Sequence, residues 1–97
     1  MKKKIIKKKD VRKQLSWLQR EGKLHLNAAT MINNDRSKTV LQLIRDINYV
    51  IDWQNRHPDR EVTITELGGI KMPNAHWLGS IFGSIPNFIS FLYGEEF

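Results

Sequence analysis

The stretch Thr63-Ile64-Thr65-Glu66-Leu67-Gly68-Gly69-Ile70-Lys71-Met72-Pro73-Asn74-Ala75-His76-Trp77-Leu78-Gly79-Ser80-Ile81-Phe82-Gly83-Ser84-Ile85 decides how this chain is read. It opens with a capping box, in which the Thr63 hydroxyl accepts from the Glu66 backbone and the Glu66 carboxylate reaches back to Thr63. A helix starting there is short, because Gly68-Gly69 ends it within about two turns. Asn74 then caps a second start, and Pro73 keeps the backbone before it extended. Leu78, Ile81, Phe82 and Ile85 follow at i, i+3, i+4 and i+7, the apolar stripe of an amphipathic helix that Pro86-Asn87 ends.

Working outward, Val40, Ile44, Ile47 and Ile51 repeat at helical spacing within residues 37–56, with Leu43 and Val50 widening the stripe. Ser37 or Thr39 caps that helix, and His57-Pro58 closes it because the residue before proline is pushed out of the α region. Nearer the start, Val11, Leu15 and Leu18 form a shorter stripe behind Asp10 as N-cap, and Gly22 stops it. Between the helices the period changes. Leu24, Leu26 and Ala28 predict a short strand or extended segment, Val62 and Ile64 a very short strand, and Ile89, Phe91 and Tyr93 a strand over 88–93. The expectation is a mainly α fold with minor β: one small globular domain over 10–97, preceded by a flexible basic arm over 1–9.

A short capped helix, a glycine turn and a second amphipathic helix make a helix-turn-helix at about 63–85. With the long helix before it and strand-like segments on both sides, residues 39–93 resemble a winged helix-turn-helix domain of the small bacterial or phage type. The resemblance implies duplex-DNA binding through the second helix, with Asn74, His76, Trp77 and Ser80 nearest the bases and Lys71 pinning the adjacent backbone. Two departures accompany it. Little chain follows the strand expected at 88–93, so the wing is expected to be short or missing. The second helix also carries no Lys or Arg, the residues that most often reach base edges.

Charge points the same way by an independent route. Of the 97 residues sixteen are Lys or Arg and ten Asp or Glu, a net charge of +6. Residues 1–23 hold ten of the bases and two acids, giving +8, and the remainder carries −2. Such asymmetry is the footprint of a polyanionic partner. Lys2, Lys3, Lys4, Lys7, Lys8, Lys9, Arg12 and Lys13 are the expected phosphate contacts, each releasing condensed counterions on binding. The plainer reading is that a lysine run solubilises a small protein. Trp17, amid Arg12, Lys13 and Arg20, either stacks on a base or docks the first helix onto the domain.

Other classes are excluded or disfavoured. There is no cysteine, hence no disulfide scaffold and no thiolate zinc site, which fits the reducing cytoplasm. Ile5-Ile6 is too short for the apolar core of a signal peptide. His25, His57 and His76 stand far apart, Gly68-Gly69 lacks the lysine of a phosphate loop, and no nucleophile elbow occurs. No enzyme activity, metal or cofactor is expected. Residues 72–94 are free of charge and long enough to span a bilayer, but Asn74, His76, Ser80, Ser84, Pro86, Asn87 and Ser90 interrupt them, so no membrane partner is expected.

A second function class stays open: a phage-type inhibitor or adaptor that binds a host protein through the helix 74–85 and the aromatic tail. Six of nine aromatics lie between Trp77 and Phe97, which serves a homodimer, a partner surface or a single core equally well. Gly79 and Gly83 permit a close backbone approach, by DNA or by the helix 37–56.

Overall fold

The computed structural model describes residues 3–26, 32, 36–69 and 75–97. Among these residues five helices follow a 3-10 turn at Lys8–Asp10: α1 (Val11–Arg20), α2 (Lys38–Arg56), α3 (Ile64–Gly69), α4 (Ala75–Phe82) and α5 (Ile85–Leu92). The apolar stripes read from the sequence are the buried faces. Val11, Leu15 and Leu18 of α1 meet Val40, Leu43, Ile47, Val50 and Ile51 of α2, and Leu78, Ile81, Phe82, Phe88, Phe91 and Leu92 complete the core. At its centre the Phe82 ring lies 5.3 Å from Phe88, 4.9 Å from Phe91 and 6.2 Å from Phe97.

The helix ends follow local chemistry. Ser37 Oγ accepts from Val40 N–H at 3.2 Å at the start of α2, and Thr63 Oγ1 accepts from Glu66 N–H at 3.1 Å at the start of α3. Asp10 occupies the N-cap position of α1 without a side-chain cap bond. Two helices close with the same Schellman motif. At α1, Gly22 has φ +73°, Gly22 N–H donates to Gln19 and Lys23 N–H to Leu18. At α5, Gly94 has φ +69°, Gly94 N–H donates to Phe91 and Glu95 N–H to Ser90.

Three expectations change. The segment 88–93 is helical, not a strand, so the wing of the winged-helix reading has no counterpart there. Phe88, Phe91 and Leu92 bury on one face at helical spacing, and the alternation of Ile89, Phe91 and Tyr93 is incidental. Pro86 does not end a helix as expected. Pro86 stands in the first turn of α5, where its missing N–H costs nothing. The chain reverses just before it at Gly83, φ +93°, and Ser84 caps α5 by accepting from Asn87 N–H at 3.2 Å. Nor is there a strand at 62–64: Val62 is buried in a loop, and Ile64 opens α3 with 57% of its surface exposed. Among the described residues no strand occurs, and the fold is mainly helical.

The charge-free run of 72–94 is likewise broken, within its described part, into two eight-residue helices by Gly83-Ser84. Among the described residues no helix is long and apolar enough to cross a membrane. Gly79 is indeed a close-approach position, but its neighbour is Ile85 rather than α2. A Cβ there would stand 2.8 Å from Ile85 Cγ1.

The start of the chain is docked, not free, over the residues described. Ile6 N–H donates to the Leu92 carbonyl at 2.7 Å, and Ile5 and Ile6 pack against the core. Two apolar side chains among lysines explain this: they can bury while their neighbours stay solvated.

Candidate nucleic-acid interface

Docking of residues 3–10 against α5 brings the basic segment alongside α1. Two depressions form there, of about 390 Å³ and 490 Å³, and both are bordered by Gln14, Phe91 and Gly94. Lys4, Lys7 and Lys9 line the larger, and Lys13, Arg20 and Lys23 the smaller. The acids on the same surfaces are Asp10, Glu95 and Glu96. Among the described residues, six cations therefore line this surface with three carboxylates.

The smaller depression is aromatic as well as cationic. Trp17 keeps 44% of its surface exposed, and so does not dock α1 onto the domain as one sequence reading expected. Lys23, placed by the Schellman turn after α1, holds its Nζ 5.7 Å from the centroids of both Trp17 and Phe97. A cation over an exposed ring contributes about 0.5–1 kcal/mol, enough to orient the lysine and little enough to be exchanged. Arg20 in the last turn of α1 and Lys23 beyond it also offset the negative end of that helix.

The expected phosphate contacts divide. Lys4, Lys7, Lys9 and Lys13 share this surface. Lys3 pairs with Glu95 at 2.8 Å, and that hydrogen bond and charge hold its ammonium above the ordinary lysine range. Lys8 turns to α2 and pairs with Asp52 at 2.6 Å, an exposed contact worth about 0–1 kcal/mol. Arg12 is partly buried. Lys2, Lys71 and Asn74 lie outside the described residues.

On α4, His76 and Ser80 are exposed one turn apart, with the Ser80 hydroxyl donating to the His76 carbonyl at 3.2 Å. Trp77 is partly buried against the core. None of the three lines either depression, so the base-reading and phosphate-contacting groups do not share this surface. Lys23 and Phe97 are the members that sequence reasoning missed. Arg20 is legible beside Trp17: Lys13, Trp17 and Arg20 stand at i, i+4 and i+7, a second stripe beside the apolar one.

No family model, no curated protein and no solved structure matches the chain.

Proposed function

We propose that the chain is a small, non-enzymatic, cytoplasmic nucleic-acid-binding protein, a regulator of bacterial or phage style. The observation that carries this reading is the single surface on which Lys4, Lys7, Lys9, Lys13, Arg20 and Lys23 outnumber Asp10, Glu95 and Glu96. Clustering of like charges costs stability unless a polyanion covers them, and phosphate contacts supply most of the affinity of nucleic-acid binders. The pair α3–α4 is the helix-turn-helix of the proposal. His76 and Ser80 form its exposed face, and Asn74 and Lys71 precede it in sequence. In a duplex complex α4 enters the major groove while the basic surface holds phosphates.

A second reading, a module that binds a protein, is favoured by one specific feature. Residues 75–82 contain no cation, and the large apolar side chains left exposed include Leu41 and Tyr49 on α2 and Ile64 on α3.

An electrophoretic shift assay separates the two. Deleting residues 1–13 would remove the fully buried Val11 and with it part of the core. Replacing Lys4, Lys7, Lys9 and Lys13 by Gln preserves the core and should abolish binding at moderate salt. H76A/S80A should keep affinity for duplex and lose sequence preference. If the native chain shifts neither duplex nor single strand, the protein-binding reading replaces this one.

A further inference from the structure

We infer that the smaller depression, between α1 and residues 91–97, is a slot for an unstacked base, so that this surface takes a single strand as well as duplex phosphates. The inference rests on the nucleic-acid reading above and extends it.

Trp17 is the reason. A tryptophan ring stacks on a base through its face, and bases inside a duplex have no free face to give. Yet Trp17 is 44% exposed on a helix whose other large apolar side chains, Leu15 and Leu18, are buried. Its neighbours are those a nucleotide needs. Lys13 lies about one turn before it on α1 and Arg20 about one turn after, so a nucleotide stacked on the ring has a cation for the phosphate on either side. Phe97 borders the same depression, and Lys23 reaches both rings at 5.7 Å. When a base arrives, it takes the ring face and the Lys23 ammonium moves to a phosphate, exchanging a weak contact for a stronger one.

Shape and charge agree. A volume of about 390 Å³ falls within the range of small-molecule pockets, roughly 300–1,000 Å³. It admits one extruded nucleotide and not a rod-like duplex. Of the two carboxylates at the slot, Glu95 is engaged by Lys3 at 2.8 Å, which leaves Glu96 against Lys13, Arg20 and Lys23. Combined cationic tracks and stacking platforms are how single strands are held without sequence preference.

The test titrates the full chain with an oligothymidylate of about 12 nucleotides, within the site sizes of known single-strand binders, and with a duplex carrying the same number of phosphates. The native chain should bind the single strand more tightly. W17A should weaken that binding about 10-fold and leave duplex binding unchanged, and W17F should restore most of the loss. Circular dichroism of W17A should match the native spectrum, since the side chain is exposed. Equal binding of oligothymidylate by W17A and native protein, or W17F falling as far as W17A, overturns the base slot while nucleic-acid binding stands. Failure of the native chain to bind either ligand overturns the slot and the proposed function together.

Discussion

Tyr93 donates its hydroxyl hydrogen to Gln54 Oε1, joining the end of α5 to the last turns of α2 across 39 positions of chain. The Tyr93 hydroxyl oxygen accepts from Val62 N–H at 2.7 Å, and Gln54 Nε2 donates to the His57 and Arg60 carbonyls. Gln54 is 7% exposed, and this network explains how a buried amide is tolerated. It also fixes the loop that delivers Thr63 to the start of α3.

Removing one hydroxyl should therefore be costly. Y93F leaves Gln54 Oε1 and the Val62 N–H short of a partner, and should lower stability by about 1–3 kcal/mol. Urea unfolding should show a lower midpoint at unchanged slope. An unchanged midpoint would mean that the network is not stabilising.

The same tyrosine sets an alkaline limit. Burial pushes the Tyr93 phenol above its ordinary value of 10.0, partly opposed by the Val62 N–H that favours the phenolate. A raised value in the folded state means that the fold binds this proton more tightly than the unfolded chain does. The contribution is thus fully present below about pH 10 and is lost as pH rises through the folded value. In a Y49F background, phenolate absorbance should rise at higher pH than for free tyrosine, and native protein should lose stability above pH 10 faster than Y93F. Ionisation at the free-tyrosine value contradicts this.

Two glycines should respond to alanine with opposite signs. Gly68 has open space where a Cβ would stand, so G68A should be neutral or stabilise by up to about 1 kcal/mol. At Gly79 the Cβ would meet Ile85 Cγ1 at 2.8 Å and Ile85 N at 3.3 Å. Overpacking costs of about 1–3 kcal/mol exceed the helix-propensity gain there, and G79A should destabilise. Thermal unfolding of the two variants checks the contrast. A stabilised G79A would mean that α4 and α5 can separate cheaply.

The docked N-terminal segment has its own signature. The Ile6 amide, bonded to the Leu92 carbonyl, should exchange with deuterium slowly. Exchange at the rate of a free peptide would return residues 3–9 to the free arm expected from sequence.

Much of the fold was legible because burial has a period. Val40, Leu43, Ile47, Val50 and Ile51 announce α2, and the Ser37 and Thr63 caps act as their side-chain chemistry requires. The failures share one cause: segments of about eight residues fit two periods at once. Ile89, Phe91 and Tyr93 alternate, but Phe88, Phe91 and Leu92 also repeat helically, and only the Phe82 ring decides between them. Pro86 illustrates the same ambiguity, since proline suits the first turn of a helix as well as the position after one. The candidate surface was legible as charge but not as shape. Nothing local to Lys23 or Phe97 says that two Schellman turns and a docked N-terminal segment bring them to the Trp17 ring.

The central claim is that Lys4, Lys7, Lys9, Lys13, Arg20 and Lys23 form one surface for a polyphosphate chain. The most direct measurement is affinity for a single-stranded oligonucleotide as a function of salt, for the native chain and for one with Lys4, Lys7, Lys9 and Lys13 replaced by Gln. The account predicts a straight log–log plot with a slope of about −0.7 per phosphate engaged, shallower in the variant by about 0.7 for each lysine lost from contact. Superimposable slopes for the two chains, or no binding by the native chain even at about 50 mM salt, would contradict it.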